Sequence, residues 1–325
     1  MADSLRIGVI GAGRRGTALA HAAARLPGVA IAAVVDADMA KSNVLAEPWK
    51  SAVYSGWQSM LIFEKLDAVI VASPSAVHAD QTLTAIGQML HVYVERPPAL
   101  DLATAQRIGE KADELGRVVQ VGLQHRYSNL VEPWRHALTG RAISLVHAHV
   151  YRGRVRTAQT ADAATTVPTI LDEGMHLLDL CRWLVGEIGS VAAHYGHGMA
   201  SGADGDSATD SAAISVQFRS GAAGTLSITH AMPLPIPGHM AIDVVAEGPL
   251  LLRYTGSELQ VVQESGVETW TLQDPPDLAA MAAFVEAIRN GDRTAARLPY
   301  AEAVRTLQLV LACNESASTG HVIGL

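Results

Sequence analysis

Residues 5–36 read LRIGVIGAGRRGTALAHAAARLPGVAIAAVVD, and this stretch decides the fold. Residues 5–10 are mostly apolar and predict a buried β-strand, whereas residues 17–26 predict a helix that ends at Pro27-Gly28. A second apolar run, residues 29–35, predicts another strand that ends at Asp36. A strand, a glycine-rich turn, a helix and a strand in this order predict the first βαβ unit of a parallel sheet.

The glycine-rich turn has the spacing of a dinucleotide-binding loop. Gly11 allows a tight turn, Gly13 lets a pyrophosphate approach the backbone because it lacks a Cβ, and Gly16 lets helix and strand pack closely. The N-terminus of the following helix offers N–H groups to phosphate oxygens. The turn therefore predicts a dinucleotide site, and the alternative is a glycine-rich turn without a ligand.

Asp36 indicates which dinucleotide binds. A carboxylate at the end of the second strand can accept both ribose hydroxyls and would repel a 2′-phosphate, which favours NAD and makes NADP less expected. Arg14 and Arg15 complicate this prediction, because they could contact the pyrophosphate or one could reach a 2′-phosphate. The alternative for both is a solvated pair at the start of a helix.

Composition narrows the class of protein. The chain has 325 residues, 49% hydrophobic content and a net charge of −8, which predicts two domains and disfavours nucleic-acid or membrane partners. No apolar run is long enough to cross a bilayer, and the polar N-terminus lacks the features of a signal peptide. Cys181 and Cys313 lie in apolar helical contexts and indicate buried thiols, so we expect a cytoplasmic protein.

Strands alternate with helices as far as Gly122 and then give way to strands with short connections. We therefore predict a doubly wound Rossmann domain over residues 1–122. Residues 123–325 are expected to form an α+β domain with an open-faced, largely antiparallel sheet, which binds substrate and builds oligomers.

Four motifs in this order resemble the Gfo/Idh/MocA family of oxidoreductases, named after glucose–fructose oxidoreductase, inositol dehydrogenase and a rhizopine-catabolism protein. The motifs are the glycine turn with Asp36, residues 67–74 with His78, Glu95-Arg96-Pro97, and residues 171–179, LDEGMHLLD. The third stands where the family usually has Glu-Lys-Pro, and the fourth contains the D-x-G-x-H-x-x-D part of the family's L-x-D-x-G-x-H-x-x-D.

The resemblance implies an NAD(P)-dependent dehydrogenase that transfers a hydride between nicotinamide and a sugar, cyclitol or related polyol, and that forms homodimers or homotetramers. It places Ser73, Pro74, His78 and Glu95 beside the cofactor. It makes Arg96, Arg126, Asp172 and His176 substrate-binding candidates, of which Arg96, Asp172 and His176 are also catalytic candidates. The alternatives are an NAD-retaining lyase or glycosidase and a regulatory protein that binds a dinucleotide without turnover.

The fourth motif can also be interpreted from residue chemistry alone. Asp172 and His176 are four residues apart and share a helix face, which Asp179 can join. An imidazole that titrates near neutrality suits proton exchange with a carbinol, although a buried structural histidine is the alternative.

Arg96 departs from the family's pattern. Arginine stays protonated and cannot act as a base, but its paired N–H groups can hold an oxyanion or a carboxylate. The proton would then pass to His176. The alternative is that arginine leaves activity modest or absent.

Two further clusters allow weaker interpretations. Arg152, Arg154 and Arg156 alternate and could meet an anionic substrate, or form a solvated basic edge. The imidazoles of His147, His149, His194 and His197 could in principle bind zinc, but no cysteine or carboxylate pattern supports this, and we expect no metal.

Overall fold

The computed structural model describes residues 4–153, 169–197, 209–232, 239–291 and 297–325, without the side chains of residues 169–173 and 197. The chain divides into two compact units. The first contains residues up to 127 together with residues 274–304, and the second contains residues 128–273 and 305–325. Segment 274–304 thus joins the N-terminal unit although it follows most of the second unit in sequence.

The first unit is built on a six-stranded parallel sheet with the strand order β3-β2-β1-β4-β5-β6. The strands are β1 (Leu5–Ile10), β2 (Val29–Val35), β3 (Ala52–Tyr54), β4 (Ala68–Val71), β5 (His91–Val94) and β6 (Val119–Val121). Its helices are α1 (Arg14–Ala24), α2 (Met39–Ala46), α3 (Trp57–Phe63), α4 (His78–Gly87), α5 (Leu102–Glu114) and, after the second unit, α8 (Pro276–Asn290). The predicted doubly wound sheet is confirmed.

The strand order reverses between β1 and β4, because the chain first builds outward from β1 to β3 and then continues on the other side of β1. Ligands of such sheets bind in the crevice outside the carboxyl ends of the strands at this switch point. The glycine turn follows β1, Asp36 follows β2, Ser73 lies just beyond β4, and Glu95 follows β5. The candidate cofactor residues therefore share one edge of the sheet.

The second unit contains a nine-stranded mixed sheet with the order β14-β13-β12-β11-β7-β10-β9-β8-β15, in which β7 and β10 are parallel and the other neighbours are antiparallel. Its strands are β7 (Ile143–Gly153), β8 (Ile188–His197), β9 (Thr209–Phe218), β10 (Ala223–Met232), β11 (His239–Ala246), β12 (Leu250–Tyr254), β13 (Glu258–Gln263), β14 (Gly266–Thr271) and β15 (Ile323–Gly324). The expected largely antiparallel sheet is confirmed.

One face of this sheet is covered, and the other is open. Alternate residues of β9 are buried and accessible, and α7 (Thr169–Leu184) packs on β7, β9 and β10. Gly174 permits the close approach of α7, because a Cβ there would lie 2.7 Å from Cδ1 of Ile228. Two further helices are α6 (Val131–Leu138) and α9 (Tyr300–Thr319), of which α9 begins in the first unit and continues in the second.

Among the residues that the structure describes, no helix is both long enough and apolar enough to cross a membrane.

Candidate cofactor and active site

The turn between β1 and α1 is shaped by its three glycines. Gly11 has a φ of +100°, and a Cβ there would lie 2.5 Å from the backbone oxygen of Ala72, so close packing and backbone conformation both require glycine. A Cβ on Gly16 would overlap the backbone oxygen of Gly11. A Cβ on Gly13 would meet nothing within 4 Å, so Gly13 faces open space into which a pyrophosphate fits.

Asp36 is tied to the same turn. Its Oδ2 accepts a hydrogen bond of 2.7 Å from the backbone N–H of Ala12, and its Oδ1 accepts one of 2.9 Å from the backbone N–H of Asp38. The carboxylate is half-buried and lies at the end of β2. Each oxygen can accept more than one hydrogen bond, so the carboxylate fits the hydroxyls of an adenosine ribose.

The two arginines of the turn differ in their surroundings. Arg14 is exposed at the start of α1. Arg15 donates to Oε1 of Glu95 from Nη2 over 2.7 Å and to Oδ1 of Asp277 over 2.8 Å. Burial alone would lower the pKa of Arg15, but the hydrogen bonds and charges of Asp277 and Glu95 outweigh it and raise that pKa. Arg15 is thus held by protein carboxylates.

The loop after β4 is braced by His78. Its Nε2 lies 2.7 Å from the backbone oxygen of Ser73, and its Nδ1 lies 2.9 Å from the backbone oxygen of Pro97. The Ser73 hydroxyl donates to Oε1 of Gln81 over 2.6 Å, and Pro74 precedes the turn that leads into α4. His78 is buried and connects the loop after β4 with the loop after β5.

Glu95 and Arg96 form a buried ion pair directly after β5. Nη1 of Arg96 donates to Oε2 of Glu95 over 2.7 Å, and both side chains are 6% exposed. Gly122, after β6, makes room for the carboxylate, since a Cβ there would lie 2.9 Å from Oε1 of Glu95. The residue that replaces the family's lysine is therefore anchored by its own neighbour.

Two residues of this arrangement are not apparent from the sequence. Asp277 lies in the first turn of α8 and bonds Arg15 across 262 positions of sequence. Gly122 ends an ordinary apolar strand. An acid after two prolines predicts only the start of a helix, and no local pattern pairs either residue with the site.

Arg126 lies in a short turn of 3-10 helix at residues 124–127 and is 1% exposed. Its backbone oxygen accepts a hydrogen bond of 3.2 Å from Nη1 of Arg297. Arg126 is thus a buried residue, and its contact with a substrate stays a prediction.

In the second unit, α7 carries the fourth motif. His176 is 3% exposed, and Asp179 is 1% exposed and accepts a hydrogen bond of 2.8 Å from the hydroxyl of Thr306 on α9. Asp172 belongs to the same helix, four residues before His176, but its side chain is outside the described part of the structure. The helix therefore brings Asp172 and His176 to one face, while α9 engages Asp179.

The other predicted clusters lie in the second unit. His147, His149, Tyr151 and His239 form a group of aromatic rings on β7 and β11, with ring centroids 4.6 Å apart between His149 and Tyr151. No cluster of three or more histidine, cysteine or acidic residues suited to a metal occurs among the residues described. Arg154 and Arg156 lie outside the described residues, and Arg152 is half-buried.

A polar cleft of about 330 Å³ lies elsewhere in the second unit, between α7, β8 and α9. It contains three arginines, but its own acceptors meet them: Glu187 accepts from Arg182 over 2.7 Å and lies 3.7 Å from Arg305, and Arg219 donates to the backbone oxygen of Leu325. We therefore do not assign the cofactor or substrate to this cleft.

Comparisons with known proteins agree with this architecture. Residues 5–123 match the sequence model of the Gfo/Idh/MocA oxidoreductase family for its NAD-binding Rossmann fold, and residues 141–239 match the model of its C-terminal alpha/beta domain. The predicted Rossmann fold and its cofactor, NAD, are thereby confirmed.

Two curated relatives are enzymes by name. An inositol 2-dehydrogenase of Arthrobacter sp. (strain FB24) is 31% identical over 204 residues, which cover 60% of this chain and 59% of the relative. A D-glucoside 3-dehydrogenase of Escherichia coli (strain K12) is 28% identical over 58% of this chain and 57% of the relative. The chain thus spans less than two thirds of the length of these relatives.

Solved structures share the fold over almost the whole chain. Levoglucosan dehydrogenase in complex with NADH and levoglucosan superposes with a TM-score of 0.86 at 17% identity, covering 99% of each chain. GenD2 from gentamicin A biosynthesis in complex with NAD gives 0.85 at 22% identity, covering 100% of this chain and 97% of the other.

Proposed function

We propose a function for this chain from the premise that it belongs to the Gfo/Idh/MocA family of oxidoreductases, because both sequence models of that family match it. It is an NAD-dependent dehydrogenase that transfers a hydride between nicotinamide and a CH–OH group of a sugar, cyclitol or related polyol. One observation carries this proposal: the glycine turn, Asp36 and the Glu95–Arg96 pair follow β1, β2 and β5 of one parallel sheet, at the edge that contains its switch point. The names of the inositol and glucoside dehydrogenases support the class of substrate.

The cofactor residues have distinct roles in this proposal. The turn at Gly13 receives the pyrophosphate and Asp36 receives the ribose hydroxyls, which selects NAD over NADP. Arg14, which is exposed at the start of α1, is better placed than Arg15 to meet a phosphate, because Arg15 already contacts two carboxylates. Ser73, Pro74 and His78 form the loop beside the cofactor.

The chemical step is assigned in this proposal to the three catalytic candidates. NAD, when bound, would supply the acceptor for the hydride of the carbinol carbon. Arg96 polarises the reacting oxygen as a fixed cation, since an arginine cannot give up a proton at neutral pH. His176 exchanges the hydroxyl proton, and Asp172 holds substrate hydroxyls or orients the imidazole. Arg126 stays a predicted substrate contact.

The second unit supplies the substrate and oligomer surfaces in this proposal. On its open sheet face, Leu145 and Val245 are paired across neighbouring strands and are 45% and 39% exposed. Two apolar side chains in register on an open face favour cover by a second copy of the chain, as a homodimer or homotetramer. The buried free thiols Cys181 and Cys313 support a reducing, cytoplasmic setting.

The test is a panel of cyclitols, sugars and sugar acids with NAD or NADP, followed by the absorbance of the reduced nicotinamide. We expect oxidation of at least one polyol with NAD. If NAD binds but no compound is oxidised, the dehydrogenase assignment is wrong. A lyase with retained NAD is then recognised by cleavage of glycosides without net NADH, and a regulatory protein by the absence of any turnover.

A further inference from the structure

A network of four charged side chains lies in the first unit and includes Arg96, a proposed catalytic residue. Asp277 receives two hydrogen bonds from Arg15, from Nη1 to Oδ2 over 3.0 Å and from Nη2 to Oδ1 over 2.8 Å. Arg15 also donates to Oε1 of Glu95, from Nε over 3.0 Å and from Nη2 over 2.7 Å. The other oxygen of Glu95, Oε2, accepts from Arg96 over 2.7 Å. Carboxylates and guanidinium groups therefore alternate in the order Asp277, Arg15, Glu95 and Arg96.

Glu95 is the central residue of this network. Each of its oxygens is held by a different guanidinium, and the close approach of Gly122 restricts its position from another side. Its side chain is 6% exposed, so a displaced carboxylate would lose hydrogen bonds that water could not replace at low cost. The position of Glu95 thus depends on Arg15, and Arg15 is oriented by the paired bonds to Asp277.

The position of Glu95 matters for catalysis because residue 96 is an arginine. A guanidinium is planar, and its N–H groups point in fixed directions, so its action on a substrate oxygen depends on rotation as well as on distance. An ammonium group has three donors on a flexible stem and tolerates a small displacement better. Anchoring Nη1 of Arg96 at Glu95 restricts the directions in which the other donors of the guanidinium point.

We propose that Asp277 and Arg15 are positioning residues, which hold Glu95 and through it orient Arg96 for catalysis. This inference rests on the proposed dehydrogenase function. Arg15 lies within the glycine-rich motif, but its side chain bonds Glu95 and Asp277, so the loss of Asp277 should impair the chemical step more than the binding of NAD. A misplacement of about 1 Å in a catalytic group can reduce the rate on the order of 100-fold.

The experiment compares Asp277→Asn, Arg96→Lys and the double variant in the full chain, with Glu64→Gln as a matched control. Glu64 loses a charge in the same unit, where it pairs with Arg6 at 2.6 Å, but takes no part in the network. The probes are inositol and NAD, or the first polyol in the panel that the wild type oxidises, and NAD affinity is titrated separately.

We expect Asp277→Asn to lower kcat by about 10- to 100-fold while the Kd for NAD changes less than about threefold. In the Arg96→Lys background, Asp277→Asn should lower kcat by less than about threefold, because the flexible lysine does not depend on the orientation that Glu95 imposes. Glu64→Gln should keep wild-type kcat. Equal reductions by Asp277→Asn in both backgrounds, or an equal loss of NAD affinity and kcat, would overturn the inference.

If the wild type oxidises no compound, the proposed function fails and the inference is decided by structure. A crystal structure of Asp277→Asn in which Arg96 keeps its 2.7 Å contact with Glu95 would then refute the positioning role. A displaced Glu95 and a rotated Arg96 would uphold it.

Discussion

The backbone N–H of Ala12 donates a hydrogen bond of 2.7 Å to Oδ2 of Asp36. One carboxylate thus serves two purposes, because it closes the turn between β1 and α1 and also presents a negative charge at the end of β2. Hydrogen bonding and charge can be separated by substitution, since asparagine keeps one oxygen acceptor and lacks the charge.

Replacing Asp36 by asparagine should narrow the preference for NAD over NADP by about 10- to 100-fold, or about 1.4–2.8 kcal/mol, because the repulsion of a 2′-phosphate is removed. Asp36→Ala should narrow it as well and also lower the thermal midpoint, since it leaves the Ala12 N–H without its side-chain acceptor. Titration of both dinucleotides measures the preference. Tighter binding of NADP than of NAD by the wild type would contradict the role given to Asp36.

Substitutions at Gly13 and Gly16 should affect different properties, NAD binding at Gly13 and stability at Gly16. Gly13→Ala should leave the thermal midpoint unchanged, because the new methyl group meets open space, but should weaken NAD binding about 10-fold or more where the pyrophosphate lies. Gly16→Ala should destabilise the protein by about 1–3 kcal/mol, because its methyl group overlaps the Gly11 backbone oxygen. Calorimetry and NAD titration check both. If Gly13→Ala and Gly16→Ala changed thermal stability and NAD affinity to the same extent, the open space at Gly13 would not be the cofactor position.

The difference between these glycines also shows how far the sequence alone leads. Spacing within a few residues predicts the turn, the strand that precedes it and the acid that follows, because neighbouring residues must satisfy one backbone geometry. It cannot predict the contact of Asp277 with Arg15, because residues 128–273 of the second unit lie between them in sequence. It also does not predict that β7 and β10 pair in parallel at the centre of a mostly antiparallel sheet, because that pairing depends on the crossover between them.

In the candidate site, too, local spacing predicts only part of the contacts of helix α7. The spacing of His176 and Asp179 predicts a shared face, but the contact of Asp179 with Thr306 depends on α9, which is distant in sequence. The resemblance likewise places His78 beside the cofactor, but its hydrogen-bond distances to Ser73 and Pro97 depend on β4 and β5 being neighbouring strands, which alternation of strands and helices does not specify.

His176→Ala should reduce kcat by about 10²–10⁴, the usual contribution of a positioned proton-transfer group, while NAD affinity stays nearly constant. His194→Ala is the matched control, because His194 is an exposed histidine on β8 of the same unit and should keep wild-type turnover. Steady-state kinetics on a confirmed substrate and a separate NAD titration provide the measurement. Wild-type kcat in the His176 variant would remove the histidine from the chemical step.

The open sheet face predicts a specific effect on assembly. Leu145→Glu places a charge beside Val245, on the surface that a second copy is proposed to cover, and should reduce the molar mass measured by light scattering at micromolar concentration. Val44→Glu is the control, since Val44 is 72% exposed on α2 in the first unit and should leave the mass unchanged. A wild-type protein that is already monomeric, or a Leu145→Glu variant with the wild-type mass, would refute assembly through this face.

His91 makes stability depend on pH in a defined window. Burial, together with the positive charge of Arg117, lowers the pKa of His91 from 6.5 to about 4, although Asp67 opposes part of the change. Its Nδ1 accepts a hydrogen bond of 2.9 Å from the backbone N–H of Val118, which requires an unprotonated nitrogen.

Since the unfolded chain takes up this proton near pH 6.5 and the folded chain only near pH 4, the contribution of His91 to stability is fully present above about pH 6.5. It is lost progressively as the pH falls toward 4. His91→Asn keeps an acceptor for Val118 but does not titrate, so its thermal midpoint should fall less than that of the wild type between pH 7 and pH 5. Other acidic and histidine side chains titrate equally in both proteins, so the difference between the two slopes isolates position 91. Parallel slopes for wild type and variant would show that His91 is not held neutral by its surroundings.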